Sequence, residues 1–172
     1  MDRPLEKAKT WGAVLRRLLL VVVAALAVFH AAAFAAEKPP PAPGEKEKCP
    51  VCGMFVAKYK DFLSAVRFRD GGHAWFDGPK DLFRYLHGME RYAPARRPED
   101  LEAVFVKDYY SLEFIDGRTA FYVTGSDVYG PMGKELVPFG REKDARQFMK
   151  DHKGKTLLRF GEITTEVLEG LQ

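Results

Sequence analysis

Cys49 and Cys52 are the only cysteines of the 172-residue chain, and they share one stretch, Cys49-Pro50-Val51-Cys52-Gly53-Met54. Two thiols with a thioether two residues on form a soft-donor cluster, and soft sulfur donors select Cu(I) over hard cations. Three other chemistries compete for the pair. A thioredoxin-type redox couple needs its second cysteine at or inside a helix start, but Cys52 precedes Gly53 and the β-type run Met54-Phe55-Val56-Ala57. A structural zinc site wants four ligands at short spacing, and His30, His73, His87 and His152 are scattered. A plain disulfide closing a small ring is the simplest alternative in an oxidising compartment. A second thioether stands in Gly130-Pro131-Met132-Gly133, where glycines and proline predict a tight turn that projects the Met132 side chain. Metal ligation is one use of such a side chain and packing against the first half of the chain is the other. Met89 and Met149 fit the ordinary role of core gap-fillers.

The compartment is read from the N-terminus. Arg3, Lys7, Lys9, Arg16 and Arg17 precede an unbroken apolar run from Leu18 to Phe29, and Ala33-Phe34-Ala35 has the small-x-small form of a cleavage site. This order predicts a secretory signal over residues 1–36. The 19 residues from Leu18 to Ala36 also approach the roughly 20 of a membrane span, so an uncleaved anchor is the competing reading. Both place the remainder outside the cytoplasm. A lipid-accepting cysteine just after the apolar run is lacking, since Cys49 lies in a polar segment.

Five of the 27 basic and two of the 24 acidic residues fall within the first 36. The remainder is therefore formally neutral, which argues against nucleic acid, whose binding needs a basic face. Residues 37–48 hold four prolines and alternating charge, the composition of an extended, solvated spacer.

Beyond the spacer the patterns predict an α+β fold. Phe62–Phe68 and His73–Phe76 read as strands around the turn Asp70-Gly71-Gly72. Asp77 stands as an N-cap with Pro79 just inside, and Leu82, Phe83 and Leu86 recur at helical spacing to a stop at Gly88. Ala103–Val106 is a further strand. The second half repeats the order: strands Leu112–Ile115, Thr119–Val123 and Leu136–Phe139, a helix over 142–152 and a strand Thr156–Phe160, with a short terminal helix over 164–171. Phe76-Asp-Gly-Pro-Lys80-Asp81 and Phe139-Gly-Arg-Glu-Lys143-Asp144 share a Phe-x-x-x-Lys-Asp pattern 63 positions apart. The expectation is two related ββαβ units in tandem, over 49–110 and 111–172.

These residues resemble a known family. Cys49-Pro-Val-Cys-Gly-Met-Phe-Val, the helix start Phe76-Asp-Gly-Pro-Lys-Asp-Leu-Phe, Gly125-Ser-Asp-Val, and Gly130-Pro-Met-Gly with Leu136-Val-Pro-Phe are similar to the NosL proteins, copper chaperones accessory to nitrous oxide reductase. The resemblance covers nearly all of residues 48–168. It implies two ββαβ units similar in fold to the organomercurial lyase MerB, and a protein that is a carrier, not an enzyme. It implies Cu(I) ligation by Cys52, Met54 and Met132, with Cys49 as an added thiol that could ligate, pair as a disulfide or stand by. The implied partners are nitrous oxide reductase or another cuproprotein and an ABC-type membrane complex of the same pathway, and the implied location is periplasmic, soluble or held by the N-terminal segment. From a different class, an extracytoplasmic Cys-x-x-Cys thiol-disulfide oxidoreductase is the alternative; it requires one thiol to titrate well below its reference value.

Overall fold

Turn chemistry organises the first half of the molecule. The computed structural model describes residues 38–171, so the signal or anchor over residues 1–36 lies outside the described residues. The Asp70 carboxylate accepts the Gly72 N–H at 3.0 Å and Gly71 N–H bonds to the Phe68 carbonyl, closing the predicted hairpin. Its strands are β1 (Ser64–Phe68) and β2 (His73–Phe76), paired antiparallel with Ala65 opposite Trp75. Helix α1 (Pro79–His87) follows, with proline at its first position and a stop at Gly88, whose N–H bonds to the carbonyls of Arg84 and Tyr85. A one-turn helix α2 (Met89–Tyr92) leads to β3 (Leu101–Lys107), which pairs with the free edge of β1.

The chain then reverses. The Asp108 carboxylate accepts the N–H groups of Tyr110 and Ser111 at 3.0 and 2.9 Å, and β4 (Phe114–Asp116) runs back along β3. The first sheet has the order β2-β1-β3-β4. The strand expected over Leu112–Ile115 thus belongs to the first sheet, not to the second half, because the Asp108 turn folds it onto β3 before the second sheet begins.

The second sheet is built from β5 (Phe121–Thr124), β8 (Val137–Phe139) and β9 (Thr156–Arg159), in the order β8-β5-β9, with helix α3 (Glu142–Asp151) between β8 and β9. Strand, strand, helix, strand, with the first strand central, is the topology of β1, β2, α1 and β3 again. The two helices start 63 positions apart, the offset of the shared sequence pattern. Between β5 and β8 lies a small hairpin, β6 (Tyr129–Gly130) and β7 (Gly133–Lys134), with Pro131 and Met132 as its two-residue tip. Helix α4 (Thr165–Glu169), capped by the Thr164 hydroxyl, closes the fold. No helix among the described residues is long and apolar enough to cross a membrane.

One hydrophobic cluster joins the repeats: Val66, Phe76, Leu82 and Phe83 from the first pack with Tyr122, Leu136 and Ile163 from the second. The Phe83 ring meets Tyr122 edge-on at 5.2 Å. A smaller cluster of Val123, Val137, Phe139, Ala145 and Phe148 sits under α3. Side chains alternate across a strand, so Phe76 meets Tyr85 of α1 while Trp75 faces the other side and meets Phe114.

Segment 38–47 crosses that other side. The Arg67 guanidinium donates to the Lys38 carbonyl, Pro40 is buried, and Glu47 lies 3.9 Å from His73 Nε2. The expected solvated spacer is thus tied to the sheet at Lys38, Pro40 and Glu47, while Pro41, Ala42 and residues 44–46 between them stay exposed. Proline rings carry no N–H that would need pairing, so they can cover an aromatic face that an ordinary extended strand would cover at the cost of unpaired donors.

Candidate metal centre

The Cys-x-x-Cys stretch is a closed loop. Lys48 and Phe55 form an antiparallel bridge at its neck, Cys49 N–H bonds to the Met54 carbonyl at 2.9 Å, and Gly53 N–H bonds back to the Cys49 carbonyl at 2.9 Å. Gly53 has φ +78°, a left-handed conformation that suits glycine, which is why the turn carries Cys52-Gly53. The β-type run expected over Met54–Ala57 is instead an isolated bridge at Phe55 followed by a one-turn 3₁₀ helix at Val56–Lys58, because the loop closes on Lys48 and turns at once, and no α-helix N-terminus points at the thiols from their own segment.

The neighbour is instead the start of α1. Cys52 Sγ–H lies 3.3 Å from Asp77 Oδ1 and Cys49 Sγ–H 3.5 Å from Asp81 Oδ2. Both cysteines are free thiols, and the two sulfurs and two carboxylate oxygens all lie within 4.8 Å of one another. Cys49, Asp77 and Asp81 are each 1% exposed, and Cys52 is half-buried. Asp77 is not the N-cap: Gly78 takes that place without a side-chain bond, because the Asp77 carboxylate is turned to the thiol. The positive end of the helix favours carboxylates at this position, and Arg84 Nη1, 3.1 Å from Asp81, adds a cation.

Burial is the main cause that raises both thiols. It pushes Cys49 far above the ordinary range and Cys52 up to about 12, and the nearby aspartates add to the shift. A nucleophilic redox cysteine requires the opposite displacement.

Met132 comes from the other repeat. It is 42% exposed at the β6–β7 tip, and the hairpin is fastened to the first turn of α1. Lys80, between Gly78 and Asp81 on the site helix, sends Nζ to the carbonyls of Met132 and Lys134, each at 2.7 Å. The Glu135 carboxylate returns the link, with Oε1 accepting the backbone N–H of Lys80 at 2.6 Å and of Leu136 at 2.9 Å. A Cβ on Gly78 would stand 2.4 Å from Glu135 Oε2, so a side chain there would displace the carboxylate that binds Lys80 N–H. Burial raises Glu135 to about 8 and lowers Lys80.

The structure thus brings Cys49 and Cys52 together and ties the Met132 hairpin to the same helix turn. Met54 follows in the loop, half-buried, its carbonyl held by Cys49. Sequence reasoning missed Asp81, Lys80 and Glu135 and took Asp77 for a cap. A signal existed for the aspartates, since residues four apart at a helix start share one side. None existed for Glu135, whose role depends on contact between the repeats.

The donor set suits a metal. Two adjacent thiols form a soft pair, and the two carboxylates can take up the protons that thiols lose on metallation. Comparison with known proteins agrees. Residues 40–168 match the NosL family. The chain is 28% identical over 142 residues to the copper-binding lipoprotein NosL of Stutzerimonas stutzeri, covering 73% of this chain and 66% of that relative, just under two thirds of its length. The crystal structure of the copper chaperone NosL from Shewanella denitrificans superposes with a TM-score of 0.61 at 27% identity, covering 75% of this chain and 99% of that one. With the family match spanning most of its length, from the proline segment through both repeats, this chain belongs to the NosL family.

Proposed function

We propose that this protein is an extracytoplasmic Cu(I) carrier that receives the ion at Cys49 and Cys52, completes its coordination with Met54 and Met132, and passes it to a cuproprotein, with nitrous oxide reductase as the recipient. The observation that carries the reading is the pairing of the two thiols with the Asp77 and Asp81 carboxylates beside a methionine hairpin anchored on the same helix turn. Carriage, not catalysis, is what such a site is built for. Two high-pKa thiols must each lose a proton to bind, so the two S–H bonds are exchanged for S–Cu bonds and two protons leave by way of Asp77 and Asp81. Carboxylates are hard donors; beside Cu(I) they act as proton acceptors, not ligands. Methionine has no proton to lose, and its weaker hold at an exposed tip offers a place where a recipient's ligands can enter.

Transfer outside the cytoplasm follows from the charged-then-apolar N-terminus. A thiol-disulfide oxidoreductase is disfavoured by the raised thiols. The test is competition of the reduced unit Lys38–Gln172 against a chromophoric Cu(I) chelator. The expected result is one Cu(I) per chain, with severe weakening by Cys52→Ser and by Met132→Ala. Full affinity in both variants removes the reading. Tighter binding of Zn(II) than of Cu(I) assigns the thiols and carboxylates to a harder ion instead.

A further inference from the structure

The outer face of the first sheet holds a cavity of about 970 Å³ between the sheet, the loop after Met54 and the proline segment that crosses above it. Its floor is apolar: Leu63, Trp75 and Phe114, with Phe55 at one side. Phe55 is 38% exposed and continues the apolar floor to the rim. The rim is cationic. Lys46, Lys58, Lys60 and Lys107 line it against a single carboxylate, Glu45, and none of the four lysines makes an ion pair among the described residues. Lys58 Nζ stands 5.6 Å from the Phe55 ring centre and Lys107 Nζ 5.1 Å from that of Phe114, so charge borders directly on apolar surface.

A second observation is independent of the rim. Trp75, which lines the floor, is 1% exposed and fixed against Phe114, and its indole N–H, the one buried side-chain polar atom without a hydrogen-bond partner among the described residues, is closed to solvent. The volume is that of a small-molecule site. A strap over an aromatic floor encloses a chain better than it admits a folded partner.

We propose that this cavity binds a small amphipathic anion, an aliphatic chain ending in a carboxylate, with the chain against Trp75 and Phe114 and the anionic head among Lys58, Lys107 and their neighbours. The site lies on the face of the sheet opposite α1 and does not depend on copper.

The compact unit Lys38–Gln172 holds both hydrophobic clusters, and Trp75 is its sole tryptophan, the other being Trp11. Its fluorescence therefore reports on the floor directly. Sodium dodecanoate, kept below its aggregation concentration, should shift Trp75 emission saturably, and dodecyltrimethylammonium should bind at least about tenfold more weakly, as expected for loss of two or more charge contacts. The double variant Lys58→Glu, Lys107→Glu should lose about tenfold for dodecanoate with its ligand-free emission unchanged, and Cys52→Ser should bind as the parent does. Absence of a saturable shift, or equal binding of the two head groups, overturns the proposal. So does binding confined to anionic vesicles or to an acidic peptide, which would assign the face to a membrane or to a protein partner.

Discussion

The two repeats share a topology and a helix-start pattern, yet only one of them holds the candidate site. Lys80 and Asp81 of the first repeat are 2% and 1% exposed. Their counterparts 63 positions on differ: Lys143 is exposed, and Asp144 is half-buried and bonded to its own helix neighbour Arg141. The connections between the first two strands differ in the complementary way. In the first repeat it is the tight turn at Asp70–Gly72; in the second it is an excursion that carries the β6–β7 hairpin. The hairpin of the second repeat covers the helix start of the first, and among the described residues no such hairpin is fastened to the start of α3. The shared pattern therefore specifies a helix start, and the site arises where the other repeat packs upon it.

The largest expected effect comes from removing the thiol that has no equivalent in the second repeat. Cys52→Ser should lower Cu(I) affinity at least about a hundredfold, the upper range for loss of an interaction at a metal site, measured by chelator competition. Asp144→Ala in the second repeat should leave it unchanged. A similar loss in both would dissolve the distinction between repeats.

Next in size is pH. Two thiols displaced from raised values predict that affinity rises with pH, by about a hundredfold per unit if two protons leave and tenfold if one does. The two-sulfur arrangement predicts the steeper slope below pH about 12, where Cys52 remains protonated in the free protein. A tenfold slope would make Cys49 a bystander.

Lys80→Met should weaken Cu(I) binding about tenfold by freeing the carbonyls of Met132 and Lys134, since buried charge-assisted bonds are worth about 1.5–3 kcal/mol. Alkylation of Cys52 in the apo protein should be unaltered. Lys143→Met should change neither, as exposed substitutions stay within about 0.5 kcal/mol. Equal effects would show that Lys80 acts on general stability.

The smallest effect concerns Glu135. Its folded pKa is raised to about 8 from an ordinary value of 4.5, so its stabilising contribution is complete below pH 4.5 and is lost as pH rises through about 8. Glu135→Gln should flatten that part of the stability profile in urea melts at several pH values. An unchanged profile would mean that Glu135 is ionised in the fold.

Much of this was legible in the chain, and the failures have physical causes. Turn and cap signals at Asp70-Gly71-Gly72, Pro79 and Gly88 place β1, β2 and α1, because those signals act within a few residues, and the amphipathic stretch over 164–171 places α4. The strand at Phe114–Asp116 was found but assigned to the second half, since its partner is chosen by the Asp108 turn. The proline segment reads as solvated by composition, yet an aromatic sheet face far along the sequence gives it a surface. At the site the sulfurs were visible by type. Asp77 and Asp81 read as helix-start residues, and the roles of Lys80 and Glu135 depend on contact between the repeats.

The central claim is that sulfur from both repeats meets on one Cu(I) ion. Copper-edge X-ray absorption of the loaded unit, prepared with selenium-labelled methionine and compared with its Met132→Leu variant, tests it directly. The account predicts a copper–selenium component whose amplitude falls in the variant while the copper–sulfur component from the cysteines persists. An unchanged copper–selenium amplitude would show that Met132 never reaches the metal, and would leave the site to the first repeat alone.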